Sequence, residues 1–235
     1  MLRADSNIFT VYVGLLDEGV PCWRPTTAIY LGDGAYRLLS SPDYDVAGEK
    51  WAFDPGSIVD CEEVEDSDSV FLRASALHPI QPNDLVGKRL SWASRVGGMA
   101  IFSFGEERMV ETRRGPKPTA EYALHPQCSW RITAGDAVLI GSSDLYEPAD
   151  GREDLTDFDW DQPMASRLDV LMRNLLDGDS GLVVESFNFG RAGSISIALG
   201  QDRHLEVFPN NSLGEEYWRL FRPGTAYRHL VFGAS

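Results

Sequence analysis

Thr26-Thr27-Ala28-Ile29-Tyr30-Leu31, then Gly32-Asp33-Gly34, then Ala35-Tyr36-Arg37-Leu38-Leu39: this stretch decides the fold class. Two runs rich in β-branched and aromatic residues flank a glycine pair, and glycine is the residue that closes a tight hairpin without steric cost. Working outward, Ile8 to Leu16 reads as a strand ended by the turn Asp17-Glu18-Gly19. Trp51 to Phe53 starts a fourth strand, broken by Asp54-Pro55-Gly56, and Ser57 to Glu63 makes a fifth. Five short strands at this spacing predict a small, barrel-like all-β domain over residues 1–75. About 65 ordered residues is marginal but workable for such a core.

The chain has 235 residues and a net charge of -15, from 36 acids and 21 bases. Its first 75 residues hold 14 acids and 5 bases, so the negative charge is concentrated in front. Asp60 to Asp68 alone carries six carboxylates in nine residues and no base, a composition typical of a solvated edge or a linker. Such a balance argues against nucleic-acid binding, which needs Lys and Arg to displace phosphate counterions. It favours fast, steered encounter with a basic macromolecule.

After His78-Pro79-Ile80-Gln81-Pro82, residues 76–235 read as an α+β domain, one curved antiparallel sheet with one main helix. Strands are expected at Met99 to Phe104, Glu121 to Thr133, Ala137 to Gly141, Leu182 to Phe189, Ser194 to Leu199, His204 to Phe208, Tyr217 to Phe221 and Tyr227 to Phe232. Arg113 to Pro118 reads as a loop from its Gly and Pro. Met164, Leu168, Leu171, Met172 and Leu175 recur at helical spacing after Pro163, with Gly178 beyond, which predicts a helix near 163–176. Residues 142–163 form a long acidic loop.

Chemistry-bearing patterns are sparse. Cys22, Cys61 and Cys128 form no Cys-x-x-Cys pair, and reduced thiols are expected. Cys128 and His125 fall on opposite faces of a strand, which does not make a nucleophile and base. Asp157, Asp159 and Asp161 begin like a calcium loop, but Gln162 and Leu168 stand where Gly and Glu are needed. No metal, cofactor or catalytic residue set is therefore expected. Strand alternation puts His125, Gln127, Ser129 and Arg131 in one polar row, and Arg219 follows a Trp as Arg131 does. Such a row with two arginines suits a carboxylate or phosphate ligand. No basic-then-apolar leader and no bilayer-length apolar run is present, so a cytoplasmic location away from membranes is expected.

Leu15 to Gly19, Trp23-Arg24-Pro25, Gly32 to Gly34 and Trp51 to Gly56 resemble the front module of short uncharacterised bacterial proteins. Leu124 to Ile132 and Glu216 to Arg219 are similar to a second such set. Acidic, motif-poor chains of this kind resemble the immunity proteins that neutralise bacterial toxins. The resemblance implies architecture more than activity; with the acidic surface and the missing reaction motifs, the leading expectation is a non-enzymatic protein-binding protein of the immunity or antitoxin type. Its partner would be another, basic protein, met through Asp60, Glu62, Glu63, Glu65 and Asp66, with the 142–163 loop as second choice. Two other readings stand beside it: a small-ligand binder or enzyme using the polar row and Arg219, and a structural module of a larger assembly.

Overall fold

The structure, a computed structural model, describes residues 7–32, 34–41, 48–66, 69–112, 115–177, 181–225 and 227–233. Two compact units divide the chain: Met1–Pro79 with Ala226–Arg228, and Ile80–Thr225 with His229–Ser235. The division falls at Pro79, four residues beyond the boundary read from sequence.

In the first unit, six strands follow in chain order: β1 (Ile8–Leu16), β2 (Trp23–Gly32), β3 (Ala35–Leu38), β4 (Lys50–Trp51), β5 (Ile58–Asp66) and β6 (Ser69–Leu77). They hydrogen-bond in the order β2-β3-β5-β6-β1, and β1 returns to β2, so the sheet closes into a ring. All its pairings are antiparallel except β1 with β6, where Val11 lies opposite Leu72. Alternation along the strands explains the core. Val11, Val13, Ala28, Leu38, Val59 and Ala74 turn inward with Trp51, while Tyr12 and Arg73, neighbours in the register, turn outward. Gly32 and Gly34 sit at φ 103° and 79°, the left-handed region that admits glycine freely; Asp33 between them lies outside the described residues.

The acidic run is strand, not linker. β5 continues through Asp66 and pairs in register with β6, Glu62 opposite Arg73 and Glu65 opposite Val70. Its charge is tolerated because bases answer from across the hairpin. Arg73 donates to Glu62, and His78 contacts Asp60. Ser67 and Asp68, the end of the run, lie outside the described residues.

The second unit contributes β7 (Leu90–Val96), β8 (Met99–Thr112), β9 (Gly115–Pro126), β10 (Ser129–Ala134), β11 (Ala137–Gly141), α1 (Arg167–Asp177), β12 (Ser186–Phe189), β13 (Ile195–Ala198), β14 (Arg203–Phe208), β15 (Trp218–Phe221) and β16 (Leu230–Phe232). These strands, read from sequence as one curved sheet, are hydrogen-bonded as two antiparallel sheets of five, β11-β10-β14-β13-β12 and β16-β15-β9-β8-β7. The split occurs at Pro126, where the run from Glu121 to Thr133 breaks. Gln127 still donates its backbone N–H to Tyr217, in register with β15, and the chain then bends at Cys128 before β10 pairs with β14. Trp130 on β10 meets Phe102 on β8 edge-to-face at 4.9 Å between centroids, so the two sheets share one core.

Two further expectations shift for physical reasons. Gly115 to Pro118 is strand, paired through Pro118 with Met109 and Pro116 with Glu111. β15 covers β9 only from Ala123 to Pro126, so these prolines stand on a free edge, where a missing N–H costs no ladder bond. Arg113 and Arg114 lie outside the described residues. The helix starts at Arg167, not Pro163, because Met164 holds φ 65° and Ser166 is the cap. The Ser166 hydroxyl accepts from the Asp169 N–H at 3.2 Å, and Asp169 Oδ2 accepts from the Ser166 N–H at 3.3 Å, a reciprocal box. Gly178 lies outside the described residues. No helix among them is long and apolar enough to cross a membrane.

Candidate functional site

The five acidic candidates do not act alike. Asp60 is taken up by His78, and Glu62 by Arg73. Glu63 and Glu65 are exposed and have no basic partner among the described residues. Asp66 closes β5, and its side chain lies outside the described residues.

Glu63 and Glu65 alternate with Val59 and Cys61 on the inward-facing side of β5, at the end where the ring's apolar core gives way to solvent. Three aromatic rings gather at that end. Phe9 lies 6.0 Å from Tyr30 and 5.6 Å from Tyr36, both edge-on, and Tyr30 lies 5.0 Å from Tyr36. Burial pushes the Tyr36 phenol above its ordinary value, and Cys61, Tyr30 and Glu63 push the same way. Tyr36 and Glu63 are thus electrostatic neighbours. Sequence reasoning missed the rings. The signal was present: Phe9 keeps the parity of Val11 and Val13, and Tyr30 and Tyr36 face each other across the hairpin. Aromatic rings near carboxylates that have no basic partner among the described residues suit a guanidinium or ammonium group.

On the outer side of the ring, the Arg73 guanidinium lies 5.7 Å from the Trp23 ring centre while holding Glu62. That trio neutralises itself.

The polar row does not assemble. His125 and Gln127 lie at the end of β9, beside β15, whereas Ser129 and Arg131 belong to β10 in the other sheet. Arg131 bonds Glu206 through Nε at 2.6 Å and lies over Phe208. Arg219 donates Nε to Glu216 at 2.9 Å, and the same carboxylate accepts from Gln127 at 3.0 Å. Its Nη1 lies 3.2 Å from His229 Nδ1. Arg219 is therefore already neutralised and presents no free fork to an anion. Around it, burial and then the Arg219 charge hold His125 and His229 below the usual imidazole value.

The Cys61 and Cys128 thiols are poor nucleophiles. All three cysteines are unpaired, and burial lifts Cys61 to about 12 and Cys128 to about 11. In the acidic loop three of the carboxylates are engaged locally. Asp150 pairs with Arg152, Asp154 accepts from Thr156, and Asp159 accepts from the Asp161 N–H at 3.0 Å. Among the described residues no three His, Cys, Asp or Glu side chains converge on a metal position. Comparison with protein-family models, curated proteins and solved structures finds no match for this chain.

Proposed function

We propose that the chain is a non-enzymatic protein-binding protein of the immunity-factor kind, working in the cytoplasm and blocking a basic partner by occupying it. One observation carries the reading: the Phe9, Tyr30 and Tyr36 rings pack on one another, Glu63 acts on Tyr36, and Glu65 follows two residues on along the same face of β5, both carboxylates without a basic partner among the described residues. Overall charge of -15 steers a cationic protein toward the chain. The aromatic end then desolvates an Arg or Lys side chain, and the two glutamates pair with it as water leaves. Rigid rings flanked by charge are the composition in which binding energy concentrates.

The test is co-purification with the tagged full chain at low and at high salt, for the wild type and two variants. A stoichiometric partner retained by the wild type should be lost by Glu63→Gln/Glu65→Gln and by Phe9→Leu/Tyr30→Leu, and weakened by salt. A partner retained equally by all three proteins would overturn the site. Recovery of no partner at either salt concentration would overturn the function.

A further inference from the structure

We infer that the second unit carries a separate site, a groove between the β7 edge and helix α1 that takes an extended peptide as an added strand. β7 is the last strand of its sheet, paired on one side with β8. Its first residues are covered: Leu90 donates to Leu182, and Arg89 bridges to Val183. From Trp92 onward no strand covers it among the described residues.

Ladder geometry says which groups are free. The hairpin to β8 closes over Gly97-Gly98, with Val96 opposite Met99 and Gly97 at φ 56°, which makes Val96 and Met99 a hydrogen-bonded pair. Bonded and non-bonded pairs alternate, so Ala93 and Arg95 aim their N–H and C=O away from β8. The edge is thus a template for another backbone.

Beside it runs a cavity of about 750 Å³, lined by six consecutive residues from Trp92 to Gly97, by one face of α1 and, from the loop before it, by Asp161, Pro163 and Met164. Asp169, Met172, Arg173 and Leu176 fall on that face at helical spacing. The volume suits four or five extended residues, and Trp92 to Val96 spans roughly 13 Å of strand. Side chains of an added strand would alternate, one set onto Leu176 at the α1 wall, the other beside Trp92 and Val96. Those last two are 60% and 65% exposed, unusual for large apolar residues on a strand.

Charge defines the occupant. The buried Arg95 and Asp169 cancel, with Arg95 Nε on Asp169 Oδ1 at 2.7 Å and Nη2 on the Trp160 carbonyl at 2.6 Å. What remains is Asp161, acting on the Arg95 end of the groove, and Arg173, one helical turn past Asp169, exposed and without a carboxylate partner among the described residues. The fitting ligand is an apolar extended peptide with a cation toward Asp161 and a carboxylate toward Arg173, such as the C-terminal tail of a partner protein.

The experiment uses the full chain and the labelled peptide Lys-Val-Thr-Val-Leu with a free C-terminus, alongside an array varying its three central residues. Fluorescence anisotropy should show saturable binding. Methylating alternate backbone nitrogens should weaken it at least about tenfold in the register that faces β7 and hardly in the other. Arg173→Glu should weaken the free acid about tenfold but the C-terminal amide less than twofold, and peptide should slow amide exchange at Ala93 and Arg95. Binding indifferent to backbone methylation, or no binding across the array at 1 mM, overturns the inference. Neither outcome bears on the aromatic end of the first unit, which Glu63→Gln/Glu65→Gln tests separately.

Discussion

Replacing Asp169 with Asn removes the charge that answers a buried arginine and leaves the side chain's shape almost unchanged. Arg95 and Asp169 are only 8% and 12% exposed as side chains, and they join β7 to α1 through two bonds of 2.7 and 2.9 Å. Removing one partner of such a pair leaves the other charge buried without an answer, which costs about 3–5 kcal/mol. Asn keeps one acceptor for Arg95 or for the Ser166 N–H, so the lower end, about 3 kcal/mol, is expected. With a urea slope of about 2 kcal/mol per molar, the midpoint should fall by roughly 1.5 M. Tryptophan fluorescence is a fair reporter, because Trp92, Trp130, Trp160 and Trp218 all belong to the unit that contains the pair.

The pH dependence gives a second reading of the same contact. Burial pushes the Asp169 carboxyl up, but hydrogen bonds from Arg95 and Ser166 outweigh it and hold the group below the usual carboxylate range. The unfolded chain therefore takes the proton first as pH falls. The pair's contribution is complete above about pH 5 and drains away below the ordinary Asp value near 3.9. The difference between wild type and Asp169→Asn should shrink over that window. A midpoint shift under 0.3 M at pH 7, or a difference that persists unchanged at pH 3, would refute the buried-pair account.

Other outcomes are equally specific. Proton NMR titration should find His125 and His229 below 6.5, and Arg219→Gln should raise both; a fall in either contradicts the role given to Arg219. Because these folded values are depressed, the pair favours folding above the unfolded histidine value and loses that contribution as pH falls through the folded one. Gly193→Ala should destabilise by about 3 kcal/mol, since φ is 72° and a Cβ would meet the Phe232 ring at 2.0 Å; thermal melting measures it, and a loss under 1 kcal/mol contradicts the packing. Iodoacetamide at pH 8 should modify Cys61 and Cys128 far more slowly than a free thiol, as intact-mass spectrometry would show, given pKa values near 12 and 11.

Strand content was legible because it rests on local chemistry: β-branched and aromatic runs punctuated by glycine, as between Thr26 and Leu39. What could not be read was decided by partners distant in sequence. Asp60 to Asp66 resembles a linker until Arg73 and His78 are placed opposite it. Pro116 and Pro118 forbid a central strand, yet a short β15 leaves them an edge. The polar row failed at Pro126, because alternation predicts a common face only while one strand continues. The capping role of Ser166 was readable from Ser-x-x-Asp but lost to the apolar spacing that begins at Met164. Of the candidate site, Glu63 and Glu65 were visible as charge and the rings as strand parity, whereas bringing Tyr36 near Glu63 needed the non-local pairing of β3 with β5.

Recognition of a cationic side chain by the aromatic end of the first unit can be tested directly. Titrating the full chain with an arginine-rich nonapeptide while recording side-chain NMR spectra tests it at residue level. The account predicts shifts concentrated on the rings of Phe9, Tyr30 and Tyr36 that vanish in Glu63→Gln/Glu65→Gln. Shifts confined to the 150–161 loop, with those three rings unmoved, would contradict it.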